Sequence, residues 1–252
     1  MVILGKRLSD KCAQLVKSAI DALSVDVYFR DIKETNRNMY GSTDVSHYND
    51  GYCTIYLQLE QSPIQFETTM LHELRHIWQI EKGYPLVVNK NACSFFNENP
   101  YFFETIGSQI QSAILDLDVI DYLEDNGYSS TLFSDFARDR EALSVIWQNV
   151  TKESLKDPWN LATAVLALYV AYVRADEVNK PIVQDSASQF PQIIQGCKIV
   201  EKAISPEACS DPVYCANRMG WIIDHFSLWK TYYVEFRGER IRTHGEYVNR
   251  YG

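Results

Sequence analysis

The sequence has few positive charges for its length. Lysine and arginine together number 24, against 33 aspartates and glutamates, so the 252 residues carry a formal net charge of -9 at pH 7. A protein whose main partner is nucleic acid or an anionic membrane presents a basic face. We therefore expect neither partner, although the composition leaves room for a local basic patch.

The sequence also lacks a long apolar run. Its most apolar segment, LATAVLALYVAYV at residues 161–173, is shorter than the roughly 20 residues that a membrane-spanning helix requires, and it predicts a buried core helix. Near the start, Lys6, Arg7 and Asp10 interrupt the short apolar stretch, so the pattern of a secretory signal is missing. We expect an intracellular, cytoplasmic protein.

The cysteines show no CxxC spacing. An even count in a long, non-secreted chain favours reduced, buried thiols over disulfides. Cys209 and Cys215 flank the segment SDPVY and could lie close together, but their spacing does not fit a thiolate zinc knuckle. The six cysteines occupy positions 12, 53, 93, 197, 209 and 215.

The chain contains no repeat and no low-complexity segment, and its pattern changes near residue 128. The first part combines an amphipathic helix, two alternating strands separated by a polar loop, and a helix directly after the second strand, at 8–23, 24–32, 53–60 and from Ser62-Pro63 onward. The second part is helical throughout, at 131–149, 159–178, 187–204 and 213–236. We predict an α+β fold, with domain 1–128 followed by a helical region 129–252 that packs on it.

A metal-binding pattern occurs in TTMLHELRHIWQIEKGYP, residues 68–85. In a helix, His72 and His76 project within about 40° of each other. The opposite side of this helix is apolar and suits a protein core, through Met70, Leu71, Leu74, Ile77 and Trp78. The two imidazoles are therefore expected to face a cleft.

A glutamate directly after the first histidine adds the carboxylate that metal-assisted hydrolysis requires. Glu73 lies to the flank of the pair, where it can reach a water molecule on a metal without binding the metal itself. Zinc hydrolysis requires two nitrogen ligands, a third protein ligand, an open position for water and a nearby carboxylate base. The pattern predicts zinc (Zn²⁺) on His72 and His76, with Glu73 as general base. A solvated histidine pair is the alternative interpretation.

The segment TMLHELRHIW resembles the active-site helix of zincin metallopeptidases, and CTIYLQLE (53–60) falls where their substrate-lining edge strand lies. The resemblance covers residues 53 to about 120 and implies a zincin-like domain with a small sheet and an active-site helix. Arg75 departs from the uncharged residue usual in the family, and we expect it to point outward. The longer HExxHxxGxxH pattern of metzincins is absent, since Gln79 and Lys82 stand at its Gly and third His.

The third ligand must therefore come from elsewhere in the chain. The gluzincin branch, and the intracellular ImmA/IrrE-type peptidases that the chain is similar to in layout, use a glutamate at the start of a later helix. The resemblance implies Glu104, near the start of FFETIGSQIQSAILDLDVIDYL. The alternatives are three aspartates later in the same helix and one histidine before the second strand: Asp116, Asp118, Asp121 and His47.

The resemblance implies a zinc metallopeptidase that hydrolyses peptide bonds in a protein or peptide substrate. Glu73 would take a proton from the zinc-bound water and pass it to the departing amine. A further donor for the tetrahedral oxyanion is expected from a small set of candidates, namely His225, His244, Tyr101 and Arg242. A zinc-containing binding or regulatory module without catalysis is the alternative function.

Overall fold

The structure is a computed structural model that describes residues 1–35, 40–89, 100–129 and 136–241; the side chains of 35, 100–105 and 136–139 are not described. The fold is α+β, as predicted, with small sheets and many helices. The chain forms two compact units, one of Met1–Lys82 with Val119–Phe133 and one of Gly83–Asp118 with Ser134–Gly252. These limits differ from the predicted domains 1–128 and 129–252, which stay a prediction.

The first unit contains two small sheets and two whole helices. Strands β1 and β2 form an antiparallel pair, and β5 lies between β3, to which it is parallel, and β4, to which it is antiparallel. The bounds are Val2–Ile3 for β1, Lys6–Arg7 for β2, Asp10–Asp21 for α1, Asp26–Asp31 for β3, Gly41–Asp44 for β4, Tyr52–Leu57 for β5 and Pro63–Glu81 for α2.

The core of this unit forms between the three-stranded sheet and the helices. The alternation along β5 buries Cys53, Ile55 and Leu57 on one face. These side chains belong to one apolar cluster with the apolar side of α2, as its pattern predicts, and with residues of α1 and of the later segment, including Val16, Met70, Leu71, Leu74, Ile77, Val119 and Leu123. The hydrophobic effect of this burial holds α2 on the sheet.

The second unit is mainly helical and contains one antiparallel sheet, in the order β6-β7-β8. The predicted core helix at 161–173 is confirmed, because α5 buries its residues from Ala162 to Ala171 almost without interruption. The bounds are Leu86–Asn89 for β6, Pro100–Asp125 for α3, Phe136–Asn149 for α4, Pro158–Arg174 for α5, Lys180–Ser186 for α6, Pro191–Ala203 for α7, Pro212–His225 for α8, Tyr232–Phe236 for β7 and Glu239–Ile241 for β8. Helix α3 crosses from this unit into the first after Asp118.

Three predictions about the strands are wrong. The polar loop after β3 contains β4, which has no alternating pattern because only Ser42 of its four residues is buried. Strand β5 is the middle strand of its sheet and β4 lies at the edge, so CTIYLQLE does not occupy an edge position. The helix predicted at 213–236 ends at His225, and the last residues of that range form the strand β7.

The prediction of reduced thiols agrees with the described cysteines, which are free and buried. Burial raises the pKa of the Cys12 thiol to about 12 and that of Cys53 to about 11. Cys209 and Cys215 are close, as expected, since the Cys215 thiol donates to the Cys209 carbonyl oxygen at 3.2 Å. Cys93 lies outside the described residues. Within those residues, no helix combines the length and apolarity needed to cross a membrane.

A buried carboxylate joins α2 to the start of α1. Glu67, only 5% exposed, accepts hydrogen bonds from the Ser9 backbone N–H at 2.5 Å, the Ser9 hydroxyl at 2.8 Å and the Tyr128 hydroxyl at 3.2 Å. Ser9 is the N-cap of α1, so the positive end of that helix dipole also faces the carboxylate. These donors offset the desolvation of the charge.

We expect Glu67→Ala to lower the free energy of unfolding by about 2 kcal/mol, because it removes the acceptor of the buried Tyr128 hydroxyl and of the two Ser9 donors at the start of α1. Denaturant unfolding followed by circular dichroism measures the loss. Glu60→Ala is the matched control, since Glu60 pairs with Lys33 at the exposed surface and its removal should change little. Equal losses in the two variants would contradict the structural role of Glu67.

Candidate metal centre and hydrolytic site

Helix α2 begins more than two turns before His72 and determines the direction in which the side chains of His72 and His76 point. Its N-cap is Ser62, whose hydroxyl accepts a hydrogen bond from the backbone N–H of Gln65 at 3.4 Å, and Pro63 occupies the first helical position. Because the apolar side of α2 is buried in the core, the opposite side carries His72 and His76. The sequence prediction of a shared direction for these two side chains is met.

The two imidazole rings converge through the same nitrogen. His72 Nε2 and His76 Nε2 lie 3.0 Å apart, and the rings meet edge to face with an interplanar angle of 87°. Two ring nitrogens at this separation repel each other unless a proton or a cation lies between them. Ligand nitrogens of a tetrahedral zinc ion are separated by about 3.3 Å, given bonds of about 2.0–2.1 Å. The pair is therefore close to the spacing that zinc requires.

Gln79 sets the tautomer of His76. Its side chain, 1% exposed, places Oε1 at 2.9 Å from His76 Nδ1. An amide oxygen only accepts, so Nδ1 carries the proton and Nε2 presents a lone pair. A metal-binding histidine is commonly oriented in this way by a second hydrogen bond on the other ring nitrogen.

A carboxylate joins the two histidines. His72, His76 and Asp116 each offer one ligand atom, and these atoms all lie within 4.8 Å of one another. Asp116 lies on α3 one turn before Val119, which packs in the core cluster with Leu71 and Leu74, so helix geometry sets its position. Among the described residues, this is the group of histidine, cysteine and carboxylate side chains that could hold a metal ion.

The charge of Asp116 is balanced by an arginine at the end of α5. Arg174 donates to Asp116 Oδ2 through Nε at 3.0 Å and Nη2 at 2.6 Å, while Asp116 itself is fully buried. Arg174 Nη2 also reaches the Ser112 hydroxyl at 3.4 Å. The guanidinium fixes the carboxylate plane through one oxygen, which restricts the directions in which the other can bind.

Glu73 is not a member of the group that could hold the metal. Its carboxylate, 8% exposed by residue, accepts a hydrogen bond at Oε2 from the Thr43 hydroxyl of β4 at 2.6 Å. It follows His72 directly in α2, which places it beside the histidines without making it a ligand. The role of Glu73 as general base stays a prediction.

Only some of the other predicted site residues can be located among the described residues. The side chain of Glu104 lies outside the described residues, as do Tyr101, Arg242 and His244, so the predictions made for them stay predictions. His47 is half-exposed, pairs with Asp50 at 3.0 Å and stacks on Tyr52. His225 is exposed at the end of α8, where its ring stacks on Trp221.

Arg75 does not simply point outward. Its guanidinium lies 3.6 Å from the ring centroid of Trp78 and 4.8 Å from that of Tyr122, beside a cavity of about 240 Å³ that Leu15 and Ser18 also line. Such stacking suits the flat, weakly hydrated guanidinium. The departure from the zincin pattern at this position is thus part of the packing between α1, α2 and α3.

Three side chains that contact the candidate site residues were not predicted from the sequence. Gln79 lies one turn after His76, a spacing that could have pointed to its role. Thr43 and Arg174 give no such signal, because their partners are 30 and 58 positions away in the chain.

No protein-family model, no curated protein and no solved structure matches the chain. The assignment of a function therefore depends on the chemistry of the site itself.

Proposed function

We propose that this chain is a zincin-like zinc metallopeptidase that hydrolyses peptide bonds in a protein or peptide substrate. The observation that carries the proposal is the convergence of His72 Nε2 and His76 Nε2 at 3.0 Å with the buried Asp116 in the same group, beside a glutamate that is not a ligand. Two imidazole nitrogens and one carboxylate oxygen are a donor set that catalytic zinc sites use. These residues fit the ion.

Each residue has a separate task in the proposed reaction. His72, His76 and Asp116 would hold the ion, which supplies Lewis-acid chemistry when bound: it polarises the scissile carbonyl and acidifies a neighbouring water molecule. Glu73 takes a proton from the attacking water as its oxygen bonds to the carbonyl carbon. Glu73 then gives that proton to the amine nitrogen as the carbon–nitrogen bond breaks. The glutamate ends the cycle in its starting ionisation state.

The first unit also offers a place for an extended substrate. Strand β4 lies at the edge of its sheet, paired with β5 on one side within the described residues, and it contacts Glu73 through Thr43. An edge strand can bind an extended peptide by adding it as a further strand. This arrangement, in which β4 and not β5 is the edge strand, supports a peptide over a small-molecule substrate.

The proposal is tested by metal analysis combined with proteolysis. The purified chain should contain about one zinc ion per molecule by elemental analysis, in keeping with one set of three protein ligands. It should cleave members of a denatured protein library, and a chelator should stop the cleavage until zinc is restored. Zinc without chelator-sensitive cleavage would favour the non-catalytic binding module, and absence of bound zinc would contradict both functions.

A further inference from the structure

The edge strand β4 contacts the proposed base at two points. Gly41 and Thr43 are two positions apart, so they share one face of the strand. Thr43 Oγ1 lies 2.6 Å from Glu73 Oε2 and 3.3 Å from the Glu73 backbone carbonyl oxygen. This face of β4 therefore lies directly on the part of α2 that carries Glu73.

The hydroxyl of Thr43 has one proton to give. The carboxylate oxygen is both nearer than the backbone oxygen and the stronger acceptor, because it carries charge. The backbone carbonyl of Glu73 lies in the interior of α2, where the backbone N–H four residues later can donate to it. Thr43 therefore directs its proton to the side chain of Glu73 and restrains the orientation of the carboxylate.

Gly41 leaves the room that this orientation needs. A Cβ atom at this position would lie 3.0 Å from Glu73 Oε1 and 3.1 Å from Glu73 Cγ, and 2.5 Å from the Thr69 Cγ2 methyl. The last distance is too short for any side chain to be added without movement. Gly41 thus leaves room for Glu73 Oε1, and Thr43 holds Glu73 Oε2 by a hydrogen bond.

We propose that Thr43 is a positioning residue for the general base Glu73, an inference that rests on the proposed function. Its hydroxyl holds the carboxylate in the orientation from which it takes the proton of the attacking water. General bases act only within hydrogen-bond reach of the proton that they remove, and small displacements of catalytic groups reduce rates strongly. The role concerns the chemical step and not the binding of metal or substrate.

The role is tested on the zinc-loaded full chain with a quenched fluorescent peptide that carries a sequence cut in the library experiment. Thr43→Val keeps the shape of the side chain but removes the hydroxyl, and we expect kcat to fall about 30-fold, with KM within about twofold and zinc content unchanged. Thr43→Ser keeps the hydroxyl and should restore kcat to within about threefold of the wild type.

A double-mutant cycle with Glu73→Gln separates positioning from folding. If Thr43 acts through Glu73, adding Thr43→Val to Glu73→Gln should not lower the residual rate further, because the base is already lost. A Thr43→Val variant with wild-type kcat, or an equal loss of rate in both backgrounds, would overturn the positioning role alone. Absence of chelator-sensitive cleavage by the wild type would overturn the proposed function, and the positioning role with it.

Discussion

Replacing Glu73 by glutamine is expected to lower kcat by about 1,000-fold while the chain keeps its metal and its fold. General acid–base catalysis contributes about 100- to 10,000-fold, and glutamine cannot take the proton. The amide oxygen can still accept the hydrogen bond that Thr43 now gives to Glu73 Oε2, so β4 should stay in place. Steady-state kinetics on the fluorescent peptide and elemental analysis of the same sample measure the two effects.

A second glutamate on α2 provides the matched control for this variant. Glu81, at the end of the helix, accepts hydrogen bonds from Ser24 and Tyr48 and contacts none of the proposed catalytic residues in these bonds. Glu81→Gln removes the same charge from the same helix and should keep most of the activity. Wild-type kcat in Glu73→Gln would show that Glu73 is not the base, whereas loss of zinc would make it a ligand.

Replacing Asp116 by asparagine is expected to weaken zinc binding by more than about 100-fold. Even the hydrogen-bonding partners of metal ligands affect affinity by about 10- to 100-fold, so loss of a charged ligand should have at least that effect. Asparagine has nearly the same volume and its oxygen can still accept from Arg174, which limits damage to the packing. Competition with a chromogenic chelator measures the dissociation constant of zinc.

Two other carboxylates on α3 decide whether the effect is specific. Asp118→Asn removes a charge that is also buried, at 5% exposure, two positions away, and Glu104→Gln removes the ligand that the family resemblance implies. We expect zinc affinity to stay within about threefold of the wild type in both variants, given that neither would lose a ligand. A large loss in Glu104→Gln with normal affinity in Asp116→Asn would return the third ligand to Glu104.

Glu104 and Asp116 cannot both bind the same ion together with the histidines. They are twelve positions apart on the single helix α3, which corresponds to about 18 Å along its axis at about 1.5 Å per residue. Zinc ligands lie about 2.0–2.2 Å from the ion. The two assignments are therefore exclusive, and the position of Asp116 beside the histidines favours the aspartate.

Helix α2 could be predicted from the sequence because the residues that determine it are local. The spacing of His72 and His76 and the apolar residues before, between and after them determine which side of α2 is buried and which carries the imidazoles. The same holds for α5, whose apolar run predicts its burial. In each case, residues within a few turns of one another carry the whole signal.

The parts that escaped prediction depend on contacts between distant segments. Strand β4 is short and polar, and it forms because β5 offers a side for pairing. Its sequence GSTD has no apolar alternation that would indicate a strand. The choice of third ligand is a related case: several carboxylates lie on α3, and the sequence alone does not indicate which of them packs beside the histidines. The sequence does not indicate where the helix ends before β7, because no proline and no asparagine–glycine turn separates α8 from the run YYVEF.

The most direct test of the account is a crystal structure of the full chain grown with zinc, with diffraction data on both sides of the zinc absorption edge. The account predicts one anomalous peak about 2.0–2.2 Å from His72 Nε2, His76 Nε2 and a carboxylate oxygen of Asp116, with Glu73 close by but not coordinated. A peak away from the two histidines, or a zinc ion coordinated by Glu73, would contradict it.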